Sequence, residues 1–410
     1  MKPRTIKRTL LATVIAATST QSLAAGFQLN AQSATGIGRA FAGDAVIADN
    51  ASVMARNAAA MALFDKTQLS LGFETIITDI KVSNANYTGI TGATQNSNYS
   101  NAGGTSIAPN IHLIVPVNEQ FALGVNAYSN FGTKTEFGNS FVAKEYGGLT
   151  DVKNANIGIA GSYRANEQVS FGAGLDIVYG QGSIVRKHDL LGDLVNVNDA
   201  TGWAIGFNVG TVVEVNENNR FGLAYRYSPE IEAEDEEGQT ITLPLPSMVE
   251  FSGYHALKNT DFALHYSVQY IGWGVFDEIG FDNLKDSTLG STYNKEYEWQ
   301  TGMHYAIGGT YYVNDKFTLR AGYMYDTSAQ DQVKSISVPD SDRQWFSGGF
   351  TYHLSNHSNV DFGFTYLVGE EVEVSEITPH PAIPGANISE ISGTTRANAI
   401  LVGLQYSHSF

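Results

Sequence analysis

Two spacings of serine and histidine come closest to a hydrolytic site in this sequence. His265 and Ser267 lie two positions apart on one predicted strand and would share a face, and Ser355, Asn356 and His357 fall in a predicted turn. A serine nucleophile also needs an orienting acid and oxyanion donors, and neither spacing supplies them. Serine is common in this chain, so such spacings arise by chance. The sequence therefore predicts that the protein is not an enzyme.

The residue types that many cofactors and metals require are missing or wrongly spaced. The chain has no cysteine, which excludes disulfides, thiolate metal sites and cysteine nucleophiles. Gly36 and Gly38 lack the strand, the spacing and the later acidic residue of a dinucleotide-binding fingerprint. The formal net charge of −17 argues against nucleic acid as a partner. We expect no cofactor, no metal and no nucleic acid.

The N-terminal residues have the three zones of a secretory signal peptide. Four basic residues precede an apolar run at 10–17, and small residues flank a cleavage position before Ala25. Removal of residues 1–24 lowers the net charge from −17 to −21, because they contain four basic residues and no acidic one. An amphipathic helix is the alternative, but it would not explain this order of zones. No later segment reaches the roughly 18 uninterrupted apolar residues of a transmembrane helix, so the exported protein is either soluble or a β-barrel.

From Lys66 onward, large apolar residues alternate with small or polar ones at period two, which is the pattern of half-buried strands. Phe221 and Leu223, for example, alternate with Gly222 and Ala224. The pattern predicts fourteen strands, at 66–80, 107–115, 121–131, 151–164, 169–186, 202–215, 220–234, 246–256, 261–274, 299–313, 317–327, 343–354, 359–374 and 395–410.

The connections between these strands alternate between short polar turns and long polar loops, as in bacterial outer-membrane barrels. A soluble β-sandwich would also alternate along each strand, but it would not sort its connections by length. The last strand is aromatic and ends on Phe410, a feature that the barrel assembly machinery reads, and closing the sheet leaves no open edge in lipid. We predict an all-β transmembrane barrel of fourteen antiparallel strands in the outer membrane of a Gram-negative bacterium.

Residues 25–65 precede the barrel and do not alternate. They are rich in Gly, Ala, Ser and Asn, and the piece Ala51–Leu63 fits a short helix. The simplest place for them is the lumen, as a hatch of short helices that plugs the barrel, and a periplasmic tail is the alternative. The predicted domains are therefore a signal peptide at 1–24, a hatch at 25–65 and a barrel at 66–410.

The face opposite the lipid is built from small uncharged residues, such as Ser170, Gly172, Gly206, Gly222 and Gly308. A general porin would instead present rings of charged side chains. Small uncharged walls would leave space for an elongated, partly apolar ligand.

Five segments, in order along the whole mature chain, carry the motifs of one known family. They are 25–61 (AGFQLNAQSATGIGRAFAGDAVIADNASVMARNAAAM), 129–137 (SNFGTKTEF), 161–186, 264–273 (LHYSVQYIGW) and 335–352. In these segments the chain resembles the FadL-type long-chain fatty acid transporters of Gram-negative outer membranes. The resemblance implies a fourteen-stranded barrel with an N-terminal hatch, in agreement with the strand count. It also implies uptake through an extracellular apolar groove, a pocket against the hatch and a lateral opening at a kink in the third strand.

The resemblance implies a pocket for a carboxylate. The family uses an arginine and a lysine there; Arg186 matches the first, whereas Gln300 stands at the second and Lys295 is a nearby substitute. His112 matches a family histidine tied to substrate binding, with a purely structural histidine as the alternative. Phe27 of the hatch completes the predicted ligand-binding set. Leu190, Leu191, Leu194 and Val195 form a helix-like apolar stripe in a long loop, which predicts either a wall of the groove or local loop packing.

The resemblance also locates a gate and an exit. The hatch gate falls on Asn57, Ala58 and Ala59, where the family's Asn-Pro-Ala turn lacks its proline. The lateral opening falls where the alternation breaks near the end of the third strand. The break indicates either a kink in the strand or simply the end of the strand. Its predicted residues are Ser106, Ser129, Asn130, Phe131 and Gly132.

The leading prediction is passive uptake of long-chain fatty acids, and the alternative is a channel for other hydrophobic compounds such as monoaromatic hydrocarbons. Arg186 favours a carboxylate, and Gln300 in place of lysine weakens that preference. The expected partners are the hydrophobic substrate, outer-membrane lipid and lipopolysaccharide, with the acidic run 234–237 as a solvated or divalent-bridged face. We expect a monomer.

Overall fold

The computed structural model describes residues 26–30, 32–379, 383 and 385–410, so the predicted signal peptide lies outside the described residues. All neighbouring wall strands pair antiparallel, and the first strand pairs with the last from Gln68 opposite Ser409 to Thr88 opposite Glu390. This pairing closes the sheet into a barrel. The predicted fourteen-stranded barrel with an N-terminal hatch is confirmed.

The fourteen wall strands of the described part of the chain are β1 to β14 in chain order, and six of them, β3, β7, β8, β9, β10 and β13, are interrupted and consist of two segments. Their bounds are β1 Gln68–Thr88, β2 Thr105–Pro116, β3 Phe121–Tyr128 and Gly132–Glu136, β4 Leu149–Arg164, β5 Val169–His188, β6 Gly192–Asn216, β7 Asn219–Tyr227 and Ile231–Glu234, β8 Thr240–Leu243 and Met248–Ala256, β9 Phe262–Ile271 and Glu278–Asp282, β10 Tyr293–Glu296 and Gly302–Asn314, β11 Phe317–Asp326, β12 Arg343–Ser355, β13 Ser358–Gly369 and Val372–Pro379, and β14 Asn387–Ser409. A short strand, Thr94–Asn96, pairs with the end of β1, and a 3-10 turn, Trp273–Val275, lies in the interruption of β9.

Side chains alternate across the wall as the period-two pattern predicts. Leu123, Ile205 and Ile307 are more than half exposed on the outer face, whereas their neighbours along each strand point into the barrel. A continuous outer apolar surface of this kind is what a lipid bilayer requires.

The long connections contain strand segments beyond the predicted strands, of which the one at 220–234 already reaches Glu234. Segments Ile231–Glu234 and Thr240–Leu243 form a hairpin, and Glu278–Asp282 pairs with both Thr240–Leu243 and Tyr293–Glu296. These extensions and Val372–Pro379 of β13 continue beyond the lipid-facing wall, and we call them together the collar. Alternation persists in them, but over only four or five residues: Ile231 and Ala233 are buried next to exposed glutamates, and Ile279 and Phe281 are buried between Glu278 and Asp282.

The hatch lies inside the barrel. It contains the α-helix α1, Ala34–Gly38, and two 3-10 helices, Ala51–Ala55 and Ala58–Leu63. The single short helix expected at 51–63 is therefore broken. Asn57 causes the break: its backbone is extended, and its side chain accepts a hydrogen bond from the N–H of Ala59. No helix of the described residues is long and apolar enough to cross a membrane.

Small residues on the inner wall make room for the hatch. A Cβ at Gly172 would collide with the backbone of Ala59, and a Cβ at Gly222 would collide with the carbonyl of Ala45. The expectation that these glycines leave space for a ligand is therefore wrong. Glycine is needed because two backbones approach each other closely.

Candidate ligand-binding cavity

A cavity of about 480 Å³ lies within the collar, and we call it the outer cavity. Apolar and aromatic side chains form most of its wall, and a few charged groups converge on it. Its lining includes Ile184, Leu191, Leu194, Val195, Phe281 and Ile388. Concave apolar sites with a few placed polar groups are typical of small-molecule binding.

The four apolar residues of the predicted groove lie at the tip of the β5–β6 hairpin and not on a helix. His188 Nδ1 accepts hydrogen bonds from the N–H groups of Leu190 and Leu191, which tightens the turn. Leu194 and Val195 follow on β6, and both are buried. The structure brings Leu191, Leu194 and Val195 to the outer cavity, whereas Leu190 is 72% exposed and does not line it.

Arg186 also lines the outer cavity, at the extracellular end of β5. Its guanidinium donates hydrogen bonds to the carbonyl oxygens of Leu149 and Val185, at 2.5 and 2.9 Å, and to Thr150 Oγ1 at 2.6 Å. All three acceptors are neutral. Within the described part of the chain, Arg186 forms no ion pair with an acidic side chain. Glu376 attracts Arg186 electrostatically but does not pair with it, so the guanidinium remains available to an anionic ligand.

Lys295 and Glu376 form an ion pair on the wall of the same cavity, with Nζ and Oε2 2.8 Å apart. Burial lowers the pKa of Lys295, but the attraction of Glu376 outweighs it, so the pKa lies above its ordinary value. Glu145, another carboxylate of the lining, accepts a hydrogen bond from the hydroxyl of Tyr87 at 2.8 Å. Lys295 is thus already neutralised by a partner within the protein.

Gln300 was expected on the inner face, but its side chain is exposed and does not line the outer cavity. The wall segment of β10 begins only at Gly302, and Glu298 has a φ of 49°. Odd-numbered residues face inward up to Trp299 and even-numbered ones from Gly302 onward, so the alternation changes phase just after Gln300, and Trp299 is buried in place of Gln300.

His112 lies deeper in the barrel, on β2, and is fully buried. Its Nε2 is 3.2 Å from the carbonyl oxygen of Gln32 in the hatch. The structure therefore places His112 between wall and hatch and away from the outer cavity.

Phe27 lies in an aromatic cluster at the start of the hatch. Its ring centroid is 4.6 Å from Trp273, 5.3 Å from Phe276 and 5.7 Å from Trp299. Tyr297 lines the outer cavity and packs on Phe276 at 5.0 Å. Aromatic surface thus continues from the outer cavity to the first described residues of the hatch.

The third wall strand is interrupted at residues 129–131. The side-chain Oδ1 of Asn154 on β4 accepts hydrogen bonds from the N–H groups of Asn130 and Phe131, at 3.2 and 3.0 Å. Ser129 Oγ donates to the backbone carbonyl of Asn154. These bonds stabilise a bend in the strand that ladder hydrogen bonds would not allow.

The interruption leaves β2 and β3 only partly paired. Their ladder ends at Ile111 opposite Ala127, and residues 105–110 of β2 pair only with β1. Above this gap, the N–H of Glu136 donates to the carbonyl of Ala102 at 2.9 Å. Ser106 is buried within the unpaired part of β2. The structure therefore brings the five predicted lateral-opening residues to the two edges of one gap in the wall.

Charged side chains fill the lumen where the hatch meets the opposite wall. Arg39 bonds to Asp44 at 2.8 Å and to Asp49 at 2.9 Å, and Arg320 of β11 bonds to Asp49 at 3.2 Å. Arg39 and Asp44 are buried. An apolar chain passing here would have to separate or desolvate these ions, which is costly.

Residues 15–410 match the family described as "Outer membrane protein transport protein (OMPP1/FadL/TodX)". This chain belongs to that family. The long-chain fatty acid transport protein of Escherichia coli O6:H1 is 32% identical over 454 residues, which cover 98% of each chain.

Two solved structures show the same fold. A FadL homologue of Pseudomonas aeruginosa matches with a TM-score of 0.81 at 20% identity, covering 94% of this chain and 100% of that one. The toluene transporter TodX of P. putida matches with a TM-score of 0.62 at 17% identity, covering 88% and 94%. Family membership and the closed barrel confirm the predicted outer-membrane location.

In this family member, the predicted gate residues lie at the base of the hatch. The side-chain amide of Asn57 donates to the carbonyl of Ala45 in the hatch, at 2.9 Å, and to that of Thr211 in the wall, at 3.1 Å. Ala58 and Ala59 are buried against β5. Asn57 therefore ties the hatch to the barrel even though the turn lacks proline.

The serine and histidine residues considered for hydrolysis have separate structural partners. Ser267 bonds to Glu250 and Ser252, and His265 Nε2 bonds to Thr310 Oγ1 at 3.0 Å. The hydroxyl of Ser355 accepts the N–H of His357 in a turn. Neither pair has the serine-to-imidazole hydrogen bond that nucleophile activation requires.

Sequence reasoning did not find Glu376 or Tyr297 in the outer cavity. Glu376 lies on Val372–Pro379, beyond residue 374 where the predicted strand ends, and Tyr297 lies between the two segments of β10, before the predicted strand at 299–313 begins. The one available signal was the proximity of Lys295 to the expected lysine position, which suggested a second cation in this region.

Proposed function

We propose that this chain takes up long-chain fatty acids passively across the outer membrane. The observation that carries this proposal is Arg186, a partly buried cation with neutral acceptors only, on the wall of a mostly apolar cavity. A fatty acid combines one carboxylate with a long apolar chain. The carboxylate gains a charge-assisted hydrogen bond from Arg186, and the chain gains apolar contact with Leu191, Leu194 and Val195.

The aromatic cluster supports a second step, in which the acyl chain moves from the outer cavity toward the hatch. Tyr297 belongs to the cavity wall, and Phe276 joins it to Phe27. An acyl chain that follows these rings remains in apolar surroundings. At the cluster it meets the hatch, whose movement at Asn57, Ala58 and Ala59 we propose as the gate.

The unpaired edge of β2 supports a lateral exit into the membrane. A straight route through the lumen would expose the chain to water at about 0.8 kcal/mol per methylene. That route also crosses the ion pairs of Arg39 and Asp49. The gap beside Ser106, Ser129 and Phe131 offers a path from the aromatic cluster to lipid without either cost.

The alternative is a channel for neutral hydrophobic compounds such as monoaromatic hydrocarbons. The neutralisation of Lys295 by Glu376 favours it, since the cavity then holds one available cation and much apolar surface. A structural relative is described as a toluene transporter. We place fatty acids first because a neutral ligand would leave Arg186 without a charged partner.

Comparative binding to the purified barrel tests this choice. Oleate, oleyl alcohol and toluene would be titrated against the protein in detergent. We expect oleate to bind at least about ten-fold more tightly than oleyl alcohol, which has the same chain without the charge. Equal affinity for these two ligands, or a preference for toluene, would favour the hydrocarbon channel.

We further propose that export removes residues 1–24, that residues 25–65 act as one hatch and that residues 66–410 form the transporting barrel. The assembled protein is expected to work as a monomer without catalytic activity. Its aromatic C-terminal strand would be read by the barrel assembly machinery, and its acidic loops would face lipopolysaccharide. Mass spectrometry of the mature N-terminus tests the removal of residues 1–24. Size determination in detergent tests the monomeric state.

A further inference from the structure

We propose that Glu376 determines the head-group specificity of the outer cavity, by acting as a built-in carboxylate that occupies Lys295. With Lys295 occupied, the cavity offers one cation, Arg186, and therefore selects a head group with one negative charge. This inference rests on the proposed uptake of fatty acids, and it concerns which anionic lipids the cavity accepts.

Glu376 is held firmly in its place. Its Oε2 is 2.8 Å from Lys295 Nζ, and its Oε1 accepts a hydrogen bond from the N–H of Ile336 at 2.8 Å. The Glu376 side chain is 5% exposed, whereas that of Lys295 is 31% exposed. Both carboxylate oxygens are thus used by the protein, while the Lys295 side chain remains partly exposed on the cavity wall.

The carboxylate of a ligand could form the same ion pair with the Lys295 ammonium, so Glu376 and the ligand compete for Lys295. Glu376 has the advantage because the fold already positions it and it loses no translational freedom on pairing. Arg186 has no carboxylate within ion-pair distance among the described residues: its hydrogen-bond partners are carbonyl and hydroxyl oxygens, and Glu376 attracts it without pairing with it. An incoming monoanion therefore binds at Arg186, and a dianion finds no second cation that is free.

The other carboxylate considered, Glu145, does not have this role. It bonds to the hydroxyl of Tyr87, and within the described residues it forms no ion pair with a lysine or an arginine. Only Glu376 joins a cavity carboxylate to a cavity cation among the described lining residues.

Glu376→Gln tests the proposal with three ligands that share one chain: oleate, oleyl phosphate and oleyl alcohol. Glutamine keeps an oxygen that accepts the N–H of Ile336, but it releases the charge of Lys295. We expect oleyl phosphate to bind about ten-fold or more tightly than to the wild type, oleate to gain less, and oleyl alcohol to be unchanged. The ratio of phosphate to carboxylate affinity therefore rises.

The matched control is Glu373→Gln, the same substitution on the same segment of β13. Glu373 is exposed and lies outside the cavity lining. We expect its affinity ratio to equal that of the wild type. An unchanged ratio in the Glu376 variant, or an equal rise in the Glu373 variant, would overturn the proposal.

A double variant distinguishes the release of the Lys295 charge from a structural disturbance of the segment that carries Glu376. Glu376→Gln with Lys295→Met removes both charges and leaves neither one unpaired. We expect a ratio well below that of Glu376→Gln alone, because Lys295 is no longer there to bind the second charge, and a ratio as high as in that single variant would overturn the role of Lys295. Failure of the wild type to prefer oleate over oleyl alcohol would instead contradict the proposed uptake of fatty acids, whatever the variants do.

Discussion

The N–H of Gly132 donates a hydrogen bond of 2.9 Å to the carbonyl oxygen of Phe27, so the hatch pairs directly with the interrupted wall strand. A second bond of 2.7 Å joins the N–H of Leu29 to the carbonyl of Asn130. Gly132 pairs with Lys153 of β4 on its other side. The hatch thus takes the side of β3 that would face β2 in an uninterrupted sheet, which couples its position to the gap in the wall.

Phe27→Ala should loosen this contact. Buried Phe→Ala changes cost about 3–5 kcal/mol, and here the loss falls on docking of the hatch because the strand ladder is untouched. We expect faster hydrogen exchange at the amides of Leu29 and Gly132, with unchanged heat-modifiable migration of the barrel on gels. Phe27→Leu, which keeps most of the apolar volume, serves as the control. Unchanged exchange in Phe27→Ala would show that the cluster does not hold the hatch.

Gly172→Ala should displace the hatch from β5. The added methyl would collide with the backbone of Ala59, whereas in the control Gly161→Ala it would meet Leu123 at an ordinary 3.7 Å. We expect a protease site in the hatch to become accessible in the first variant only. Equal protection in both variants would mean that the hatch can shift without cost.

Arg186→Ala should weaken binding of oleate by roughly ten-fold or more, because a hydrogen bond to a charged group contributes about 1.5–3 kcal/mol. Oleyl alcohol should lose little. Lys187→Ala is the control, since that neighbouring cation is exposed and pairs with Asp193. Isothermal titration of both ligands checks the result, and equal losses for both would remove Arg186 from the head-group role.

Ser129→Arg should stop transport while ligand binding in the outer cavity is kept. Ser129 is buried at the gap between β2 and β3, so a bulky charge there fills the opening. Ser129→Ala, which is smaller, should transport normally. Uptake of labelled oleate by cells measures transport, and binding to the purified variant confirms that it is folded. Normal transport by Ser129→Arg would contradict the lateral route.

Asn57→Ala should weaken the hatch gate. The variant loses the helix cap to Ala59 and the bonds to Ala45 and Thr211, of which the cap alone contributes about 1 kcal/mol. We expect altered uptake of oleate with normal assembly of the barrel. The conservative Asn57→Asp keeps the cap but not the two donated bonds, so an intermediate effect is expected. Uptake equal to the wild type in both variants would place the gate elsewhere.

The sequence by itself determined the wall of this protein. Each wall residue meets either lipid or lumen, so Leu223 and Gly222 alternate at period two whatever lies farther away in the chain. Strand number, antiparallel order and the aromatic end at Phe410 follow from that local rule and from the lengths of the connections. The motifs of the hatch and of the third strand also identified the family from the sequence, because each motif is a continuous stretch of the chain.

Only the tertiary structure decided how the interior is filled. The inner glycines Gly172 and Gly222 contact the hatch, although as a pattern they equally fit space for a ligand. Lys295 and Glu376 are 81 positions apart, on segments of β10 and β13 that do not pair with each other, and both line the outer cavity, where they meet. The exposure of Gln300 follows from a change of phase in the alternation just before the wall segment of β10, which the sequence pattern does not show. Side-chain partners of this kind depend on the register and packing of distant segments, which a local pattern does not contain.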